Sequence, residues 1–146
     1  MYLSSSAAYY TAINYFWNGA VTDSVVKLKN DWYVNGSNNT YVMYSWHSVA
    51  GYSKIGTYSG NSNTQTIVTG FEPSFVMIKT INTVSNWVIF DNKRPNEYLM
   101  PSLPNAGNTL TDMVTGFVSN GFTLGADAST AAVNSSAANY LYMAFK

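Results

Sequence analysis

Few residues of this sequence have the types that enzymes use for covalent or acid–base chemistry. His47 is the single histidine and cysteine is absent, which excludes disulfides, thiolate metal sites and a cysteine nucleophile. A Ser–His–acid triad would have to use His47, yet no G-x-S-x-G elbow is present. One histidine without cysteine also disfavours a zinc site. The sequence therefore predicts no catalytic residue, no metal site and no cofactor.

Carboxylates are the other side chains that can do chemistry. They are Asp23, Asp31, Glu72, Asp91, Glu97, Asp112 and Asp127. A glycosidase needs two of them facing each other across a cleft, which keeps polysaccharide hydrolysis as a distant alternative. Most of them lie at predicted turns, where an aspartate hydrogen-bonds its own backbone, and no glycine-rich phosphate loop occurs. We therefore predict that the protein is not an enzyme.

The densest aromatic cluster is the candidate binding surface. It consists of Tyr9, Tyr10, Tyr15, Phe16 and Trp17. Tyr and Trp combine an apolar body with a polar tip, which suits a contact with a neighbouring subunit and also stacking against sugars. Core packing explains the cluster as well as a subunit contact does, and glycan stacking is the third interpretation. The most charged stretch, residues 91–97, is interpreted as a solvated loop whose charges pair weakly.

The composition indicates a class of protein and excludes two kinds of partner. Only 10% of the 146 residues are charged, against about 25% in an average protein, while aromatic residues reach 16% and include 12 tyrosines. Polarity therefore comes from hydroxyl and amide groups, as in many extracellular β-proteins and fibres. The formal net charge is zero, so nucleic-acid binding has no electrostatic source. No run of about 18 apolar residues occurs, which predicts no membrane insertion.

Short apolar runs alternate with Gly, Asn, Ser and Pro, which is the pattern of strands and turns. The predicted strands are residues 25–29, 40–47, 52–58, 65–68, 74–80, 87–91, 121–124 and 140–145. One helix is suggested at residues 4–13, which contain little that breaks a helix. The pattern predicts an all-β fold, an antiparallel β-sandwich of the lectin-like or jelly-roll-like kind.

The chain also resembles itself over part of its length. Tyr2-Leu3 and Leu28 match Tyr98-Leu99 and Leu124 at an offset of 96 residues. Residues 34–37 and 41–46 match residues 133–136 and 140–145 at an offset of 99. The matches occur in the same order in both parts of the chain, and the offset is constant within each group, which predicts a duplication. On this interpretation residues 50–146 are one complete β-sandwich unit, and residues 1–49 are the second half of a preceding unit that adds strands.

The repeat also assigns side chains to faces of the predicted strands. Alternate residues of a strand point to the same side. The residues expected to be at least half buried in the core are Val42, Tyr44, Trp46, Leu141, Met143 and Phe145. Strands 74–80 and 87–91 are apolar on both faces, as expected for a strand that is buried twice or lies against another chain.

Two blocks of sequence are specific enough to indicate a family. They are GYSKIGTYSGN at residues 51–61 and TGFEPSFVMIK at residues 69–79. Together with the segments that follow, they resemble a domain of unknown function found in phage tail-fibre and other virion proteins, common in marine phage metagenomes. The resemblance covers about residues 20–146. Members of that family look like multi-module chains, so this sequence is expected to be an excerpt of a longer protein or a short gene.

The resemblance implies a non-enzymatic virion structural protein: a tail-fibre, appendage or capsid-decoration module. Such a protein assembles in the host cytoplasm and is then exposed on the virion outside the cell. The expected partners are other copies of this chain, with a trimer favoured by analogy to phage fibres, and other virion proteins. The alternative is an adhesin module that binds glycans on the host surface.

Overall fold

The computed structural model describes residues 6–8, 21–94, 97–104, 107–109, 113–126 and 132–146. These residues form one helical turn and nine strands. The elements are α1 (Trp32–Asn35), β1 (Ser53–Ser59), β2 (Gln65–Val68), β3 (Phe75–Thr80), β4 (Val88–Asp91), β5 (Glu97–Tyr98), β6 (Asn108–Thr109), β7 (Val114–Val118), β8 (Gly121–Leu124) and β9 (Asn139–Phe145). The chain divides into two compact units, of which one contains residues 46–146 and the other contains residues 21–45.

All nine strands belong to the unit that contains residues 46–146, and all their pairings are antiparallel. A four-stranded sheet has the order β1-β9-β3-β4, a three-stranded sheet has the order β2-β8-β7, and β5 pairs with β6. The C-terminal strand β9 is therefore central, because it lies between β1 and β3. This arrangement brings together segments that are far apart in the sequence.

The core lies between the inner faces of the two larger sheets. The four-stranded sheet contributes Val76, Ile78, Val88, Phe90, Tyr140, Tyr142 and Ala144, and the three-stranded sheet contributes Ile67, Phe122 and Leu124. The rings of Phe122 and Tyr142 meet edge-on across the two sheets, with centroids 5.6 Å apart, a favourable aromatic geometry. The predicted all-β antiparallel sandwich is confirmed.

Six of the predicted strands correspond to β1, β2, β3, β4, β8 and β9 within about one residue. The strands at residues 25–29 and 40–47 are wrong, since residues 21–48 contain α1, a single β-bridge residue at Leu28, and no strand. β7 was not predicted, because Gly116 interrupts its apolar pattern. The suggested helix at residues 4–13 lies outside the described residues except for residues 6–8, which are not helical.

The predicted burial of Leu141, Met143 and Phe145 is confirmed, but the face of β9 that was predicted to point into the core is wrong. Tyr140 and Tyr142 face the core, being 0% and 4% exposed, whereas Met143 lies on the opposite face at 9%. Leu141 and Phe145 are partly buried on that opposite face. The prediction is off by one residue, and a shift of one residue moves every side chain of a strand to the other face of the sheet. Because both faces of β9 are apolar, the sequence pattern does not show which face is inside.

The other three predicted core residues are exposed. Val42 and Tyr44 are 77% and 73% exposed, and Trp46 is 51% exposed. Residues 40–48 do not follow the path of their proposed counterpart, because Asn139–Phe145 form a strand and residues 40–48 do not. The division of the chain into a half-repeat and a complete unit stays a prediction.

Asn134 is a buried polar residue that joins three parts of the sandwich. It is 0% exposed, and its Oδ1 accepts from the Asn61 amide at 3.1 Å and from Gln65 Nε2 at 2.6 Å. Its Nδ2 donates to the carbonyl oxygens of Asn63 and Gly125, both at 2.7 Å. The side chain uses all four of its hydrogen-bonding positions, so it fixes the β1–β2 connection against the end of β8.

The outer edge of β1 is protected by the residues that precede it. Ser48 Oγ accepts from the Ile55 amide at 3.0 Å, and Val49 and Ser53 form an isolated antiparallel bridge. At the far end of the strand the Ser59 carbonyl accepts from Gln65 Nε2 at 3.2 Å. These groups occupy much of an edge that would otherwise be a template for another strand.

Tyr58 is expected to make stability depend on alkaline pH. Its hydroxyl donates to the Val133 carbonyl at 2.6 Å, and burial followed by the neighbouring Tyr140 raises its pKa well above 10.0. A tyrosine whose pKa is higher in the folded than in the unfolded protein stabilises the fold fully at pH values below its unfolded pKa. This stabilisation is lost as the pH rises above about 10. Tyr58→Phe should therefore lower the free energy of unfolding by about 1 kcal/mol at pH 7 and lose stability less steeply above about pH 10.

Urea unfolding from neutral pH to about pH 11 measures this difference. Tyr52→Phe is the matched control, because Tyr52 is 62% exposed. Equal alkaline slopes for the Tyr58→Phe and Tyr52→Phe variants would contradict the assignment to Tyr58.

Candidate interaction surface

The aromatic cluster predicted from the sequence does not fall in the described part of the chain. Tyr9, Tyr10, Tyr15, Phe16 and Trp17 all lie outside the described residues. Their assignment as a subunit contact, a glycan-stacking surface or core therefore stays a prediction. The structure instead identifies a second aromatic group, further along the chain, which includes Val42 and Tyr44, two residues that the sequence interpretation had placed in the core.

This group is built around the helical turn α1. Asp31 caps the turn by accepting from the Tyr33 amide at 2.9 Å with its Oδ1, as N-cap aspartates do. The Tyr41 hydroxyl donates to the Trp32 carbonyl at 2.6 Å and accepts from the Gly36 amide at 2.8 Å. Asn38 has φ of 65°, a left-handed conformation that asparagine tolerates. These contacts hold residues 31–41 in a defined loop.

The loop and the residues after it expose large apolar side chains. Trp32 and Tyr33 are 73% and 69% exposed, and Met43 is 62% exposed. We call residues 32–45 the aromatic segment; Val42 and Tyr44, described above, also belong to it. It contains no charged residue. A surface of ordered, exposed Trp, Tyr and Met side chains is the type that dominates protein interfaces.

A second surface feature is an open cleft of about 270 Å³ in the other unit. It is lined by Glu72, Phe90, Asp91, Asn92, Arg94, Glu97, Val114, Thr115, Gly116 and Phe117. Three of these residues carry carboxylates and Arg94 carries the opposite charge. The charged stretch that the sequence singled out therefore borders this cleft at Asp91, Asn92, Arg94 and Glu97.

Asp91 is held in its ionised form by the loop that follows it. Its Oδ2 accepts from Arg94 Nε at 2.9 Å and forms an ion pair with Arg94 Nη2. Its Oδ1 accepts from the amides of Lys93 and Arg94, both at 3.0 Å. The Arg94 guanidinium, aided by these amides, lowers the pKa of Asp91. A glycosidase acid needs a raised pKa, so Asp91 is suited to fix the loop and not to donate a proton.

His47 is exposed, and its main-chain carbonyl accepts from Ser53 Oγ at 3.0 Å. Within the described ranges, no group of three His, Cys, Asp or Glu side chains is placed to hold a metal ion. The part of the chain that the structure describes also contains no helix long and apolar enough to cross a membrane.

Comparison with known families gives a match that covers the whole sequence. Residues 1–146 match the family described as Domain of unknown function (DUF7483). The chain belongs to the DUF7483 family. No curated protein and no solved structure matches this DUF7483 chain.

Sequence reasoning missed the aromatic segment as a surface because its residues look like core residues. The segment alternates as a strand does and consists of Tyr, Val and Met at its end. A pattern of this kind predicts burial but does not identify what buries it. The absence of charge together with apolar residues on both faces is the sequence signal that could have indicated an exposed surface instead.

Proposed function

We propose that this chain is a non-enzymatic structural module of a bacteriophage virion, as a tail fibre, appendage or capsid decoration, and that it associates with other copies of itself. The expected state is a trimer, by analogy with phage fibres. The observation that supports association is the exposure of the aromatic segment, in which Trp32, Val42 and Tyr44 are 73%, 77% and 73% exposed.

Exposed apolar side chains of this size favour association for a simple physical reason. Removing apolar surface from water contributes about 25 cal/mol per Å², and isolated soluble proteins rarely expose large contiguous apolar patches. Because the segment is uncharged and the chain has a formal net charge of zero, copies of it meet without like-charge repulsion.

The virion assignment is supported by the sequence resemblance and by composition. The blocks at residues 51–61 and 69–79 resemble a domain of phage virion proteins. A Tyr-rich, weakly charged chain that folds as an antiparallel sandwich suits an exposed structural module. The protein would assemble in the host cytoplasm and function on the virion surface, together with other virion proteins.

Self-association is tested by the mass of the purified chain and by a pair of matched substitutions. Sedimentation over a range of concentrations should give an oligomer. Val42→Ser should weaken association at least about tenfold, because burying a valine contributes about 1.5 kcal/mol or more. Val84→Ser is the control, since Val84 is 73% exposed and lies outside the aromatic segment. A monomer at every concentration, or equal effects of the two substitutions, would contradict the proposal.

Binding of host-surface glycans is the second candidate function. It is supported by Trp32 and Tyr33, which are exposed on a capped turn whose neighbouring residues include Ser37, Asn38 and Asn39. Aromatic rings stack on sugar faces, while amides and hydroxyls bond sugar hydroxyls. Titration of tryptophan fluorescence with host-surface polysaccharide tests it: a saturable change that Trp32→Ala abolishes supports binding, and no change contradicts it.

A further inference from the structure

We propose that the open cleft of about 270 Å³ beside β4 and β7 binds a single sugar residue, and that it favours a sugar with an amine over a sugar with a carboxylate. We call it the edge cleft; its lining is residues 90–92, 94 and 114–117 together with Glu72 and Glu97. It lies in the unit that contains residues 46–146, and the aromatic segment lies in the other unit. The inference therefore depends neither on self-association nor on glycan stacking at Trp32.

The edge cleft is formed by the edge strands of both larger sheets. β4 is the terminal strand of the four-stranded sheet, and β7 is the terminal strand of the three-stranded sheet. Both contribute residues to the lining, together with Glu72 before β3 and Glu97 in β5. Ligand sites that enclose larger molecules usually measure about 300 to 1,000 Å³. A volume of about 270 Å³ therefore suits one sugar ring and not a longer oligosaccharide.

The floor of the edge cleft is apolar and is supported by the core. Phe90 is only 5% exposed and belongs to the core cluster. Val114 and Phe117 are partly buried and pack against that cluster, and the β7–β8 ladder fixes the main chain at Phe117 by pairing it with Phe122. The C–H face of a sugar ring is apolar and packs against aromatic and aliphatic side chains. The floor therefore offers a rigid surface for one face of a sugar.

The rim of the edge cleft carries polar groups that the protein itself holds in place. Arg94 is fixed by its bonds to Asp91, and its guanidinium has five hydrogens to donate, of which those bonds use only part. The Asn92 amide donates to the Ser74 carbonyl at 3.1 Å, and Asn92 Nδ2 donates to Ser74 Oγ at 3.1 Å. Groups that are already held lose little side-chain entropy on binding. Sugar hydroxyls both donate and accept, so they suit a rim that contains guanidinium, amide and carboxylate groups.

The charge of the edge cleft should select among sugars. Both glutamates of the chain, Glu72 and Glu97, line it. With Asp91 they make three carboxylates against the one guanidinium of Arg94, which leaves two net negative charges in a chain whose formal net charge is zero. Among the described residues, neither glutamate carboxylate forms an ion pair. A protonated amine on the sugar is therefore attracted, and a carboxylate on the sugar is repelled.

Titration of the full chain with four small molecules, followed by amide chemical shifts, tests the site. At about pH 6 the glutamates are ionised and the amine of glucosamine is protonated. The amides of residues 90–94 and 114–117 should shift saturably with glucosamine, with a dissociation constant on the order of 1 to 10 mM. Glucose should bind about fivefold more weakly than glucosamine, and glucuronic acid more weakly than glucose. n-Butylamine has the charge without the hydroxyls, so it should bind at least about fivefold more weakly than glucosamine.

Substitutions separate the role of charge from the role of the floor. The double variant Glu72→Gln with Glu97→Gln keeps acceptor oxygens and removes both charges, so its preference for glucosamine over glucose should fall below about twofold. Asp23→Asn is the matched control, because Asp23 is exposed and lies outside the edge cleft, and it should keep the preference. Phe117→Leu should weaken binding of every sugar at least about threefold, with urea unfolding as the check that it is folded. Both glutamates are exposed, so the double variant decides the proposal whatever the stability of Phe117→Leu.

Shifts at the edge cleft in the expected order, with the preference lost in the double glutamate variant alone, would support the proposal. It would be overturned by the absence of saturable shifts with any sugar, by equal affinities for glucosamine and glucuronic acid, or by n-butylamine binding as tightly as glucosamine. A preference that survives in the double glutamate variant, or that Asp23→Asn also removes, would overturn the assignment of selectivity to this cleft. Sugar-dependent shifts confined to Trp32 and Tyr33 would overturn it as well and leave glycan binding by the aromatic segment standing.

Discussion

Replacing Asn134 with aspartate, a side chain of nearly the same size, is expected to destabilise the sandwich strongly. The aspartate would keep the two acceptor contacts to Asn61 and Gln65, but it would place its second oxygen against the carbonyl oxygens of Asn63 and Gly125. Two favourable hydrogen bonds become repulsive contacts, at a position that is 0% exposed. A buried, poorly compensated charge costs about 4 kcal/mol.

The expected loss is measured as the free energy of urea unfolding at neutral pH. Since a protonated carboxyl can donate to one of the two carbonyls, the pKa of the introduced carboxyl should be raised in the folded Asn134→Asp variant. Its stability, relative to that of the wild type, should therefore partly return as the pH falls toward about 4. Asn120→Asp is the control, because Asn120 is exposed. A loss below about 1 kcal/mol, or no recovery in acid, would show that the four contacts do not hold the fold.

Alanine at Gly121 is expected to have the second large effect. Gly121 is paired with Val68 on one side and with Val118 on the other. A Cβ atom at Gly121 would overlap the Ile67 carbonyl oxygen, which is main chain and cannot rotate away. To relieve the overlap, β2 and β8 would have to separate, so we expect a loss of about 3 kcal/mol in the free energy of unfolding.

Gly116→Ala provides a control in the neighbouring strand β7. Among the described residues, no atom other than those of its own chain neighbours lies within 4 Å of the position where its Cβ would stand. Removing glycine also restricts the unfolded chain, so this variant should be neutral or stabilised by about 0.5 kcal/mol. Thermal unfolding of the two variants side by side tests the contrast. Similar midpoints for both would mean that the sheet adjusts at Gly121 without cost.

Much of the sandwich was predictable from local pattern. The segments that became β2, β3 and β8 are short, apolar and bounded by turn residues, so their strand character is a property of the local sequence. The antiparallel fold class followed from the same alternation of short strands and turns. β7 was missed because Gly116 breaks the pattern, and its strand forms through pairing with β8.

The facing of β9 could not be predicted because both of its faces are apolar. Tyr140 and Tyr142 face the core, since the three-stranded sheet covers that side of β9 with Phe122. The residue pattern of β9 does not indicate which of its two faces the other sheet covers. The buried role of Asn134 was equally inaccessible: asparagine in an Asn/Ser-rich stretch predicts a turn, whereas its four partners come from residues 61–65 and Gly125.

The sequence by itself determined the strand-forming character of residues 41–46 and of residues 140–145, because that character depends on residue type and alternation. Only the tertiary structure decided that residues 140–145 become a central strand while residues 41–46 do not. A strand needs hydrogen-bond partners that its own residues cannot supply. Those partners are β1 and β3 for residues 140–145, and they come from parts of the chain that are distant from β9 in sequence.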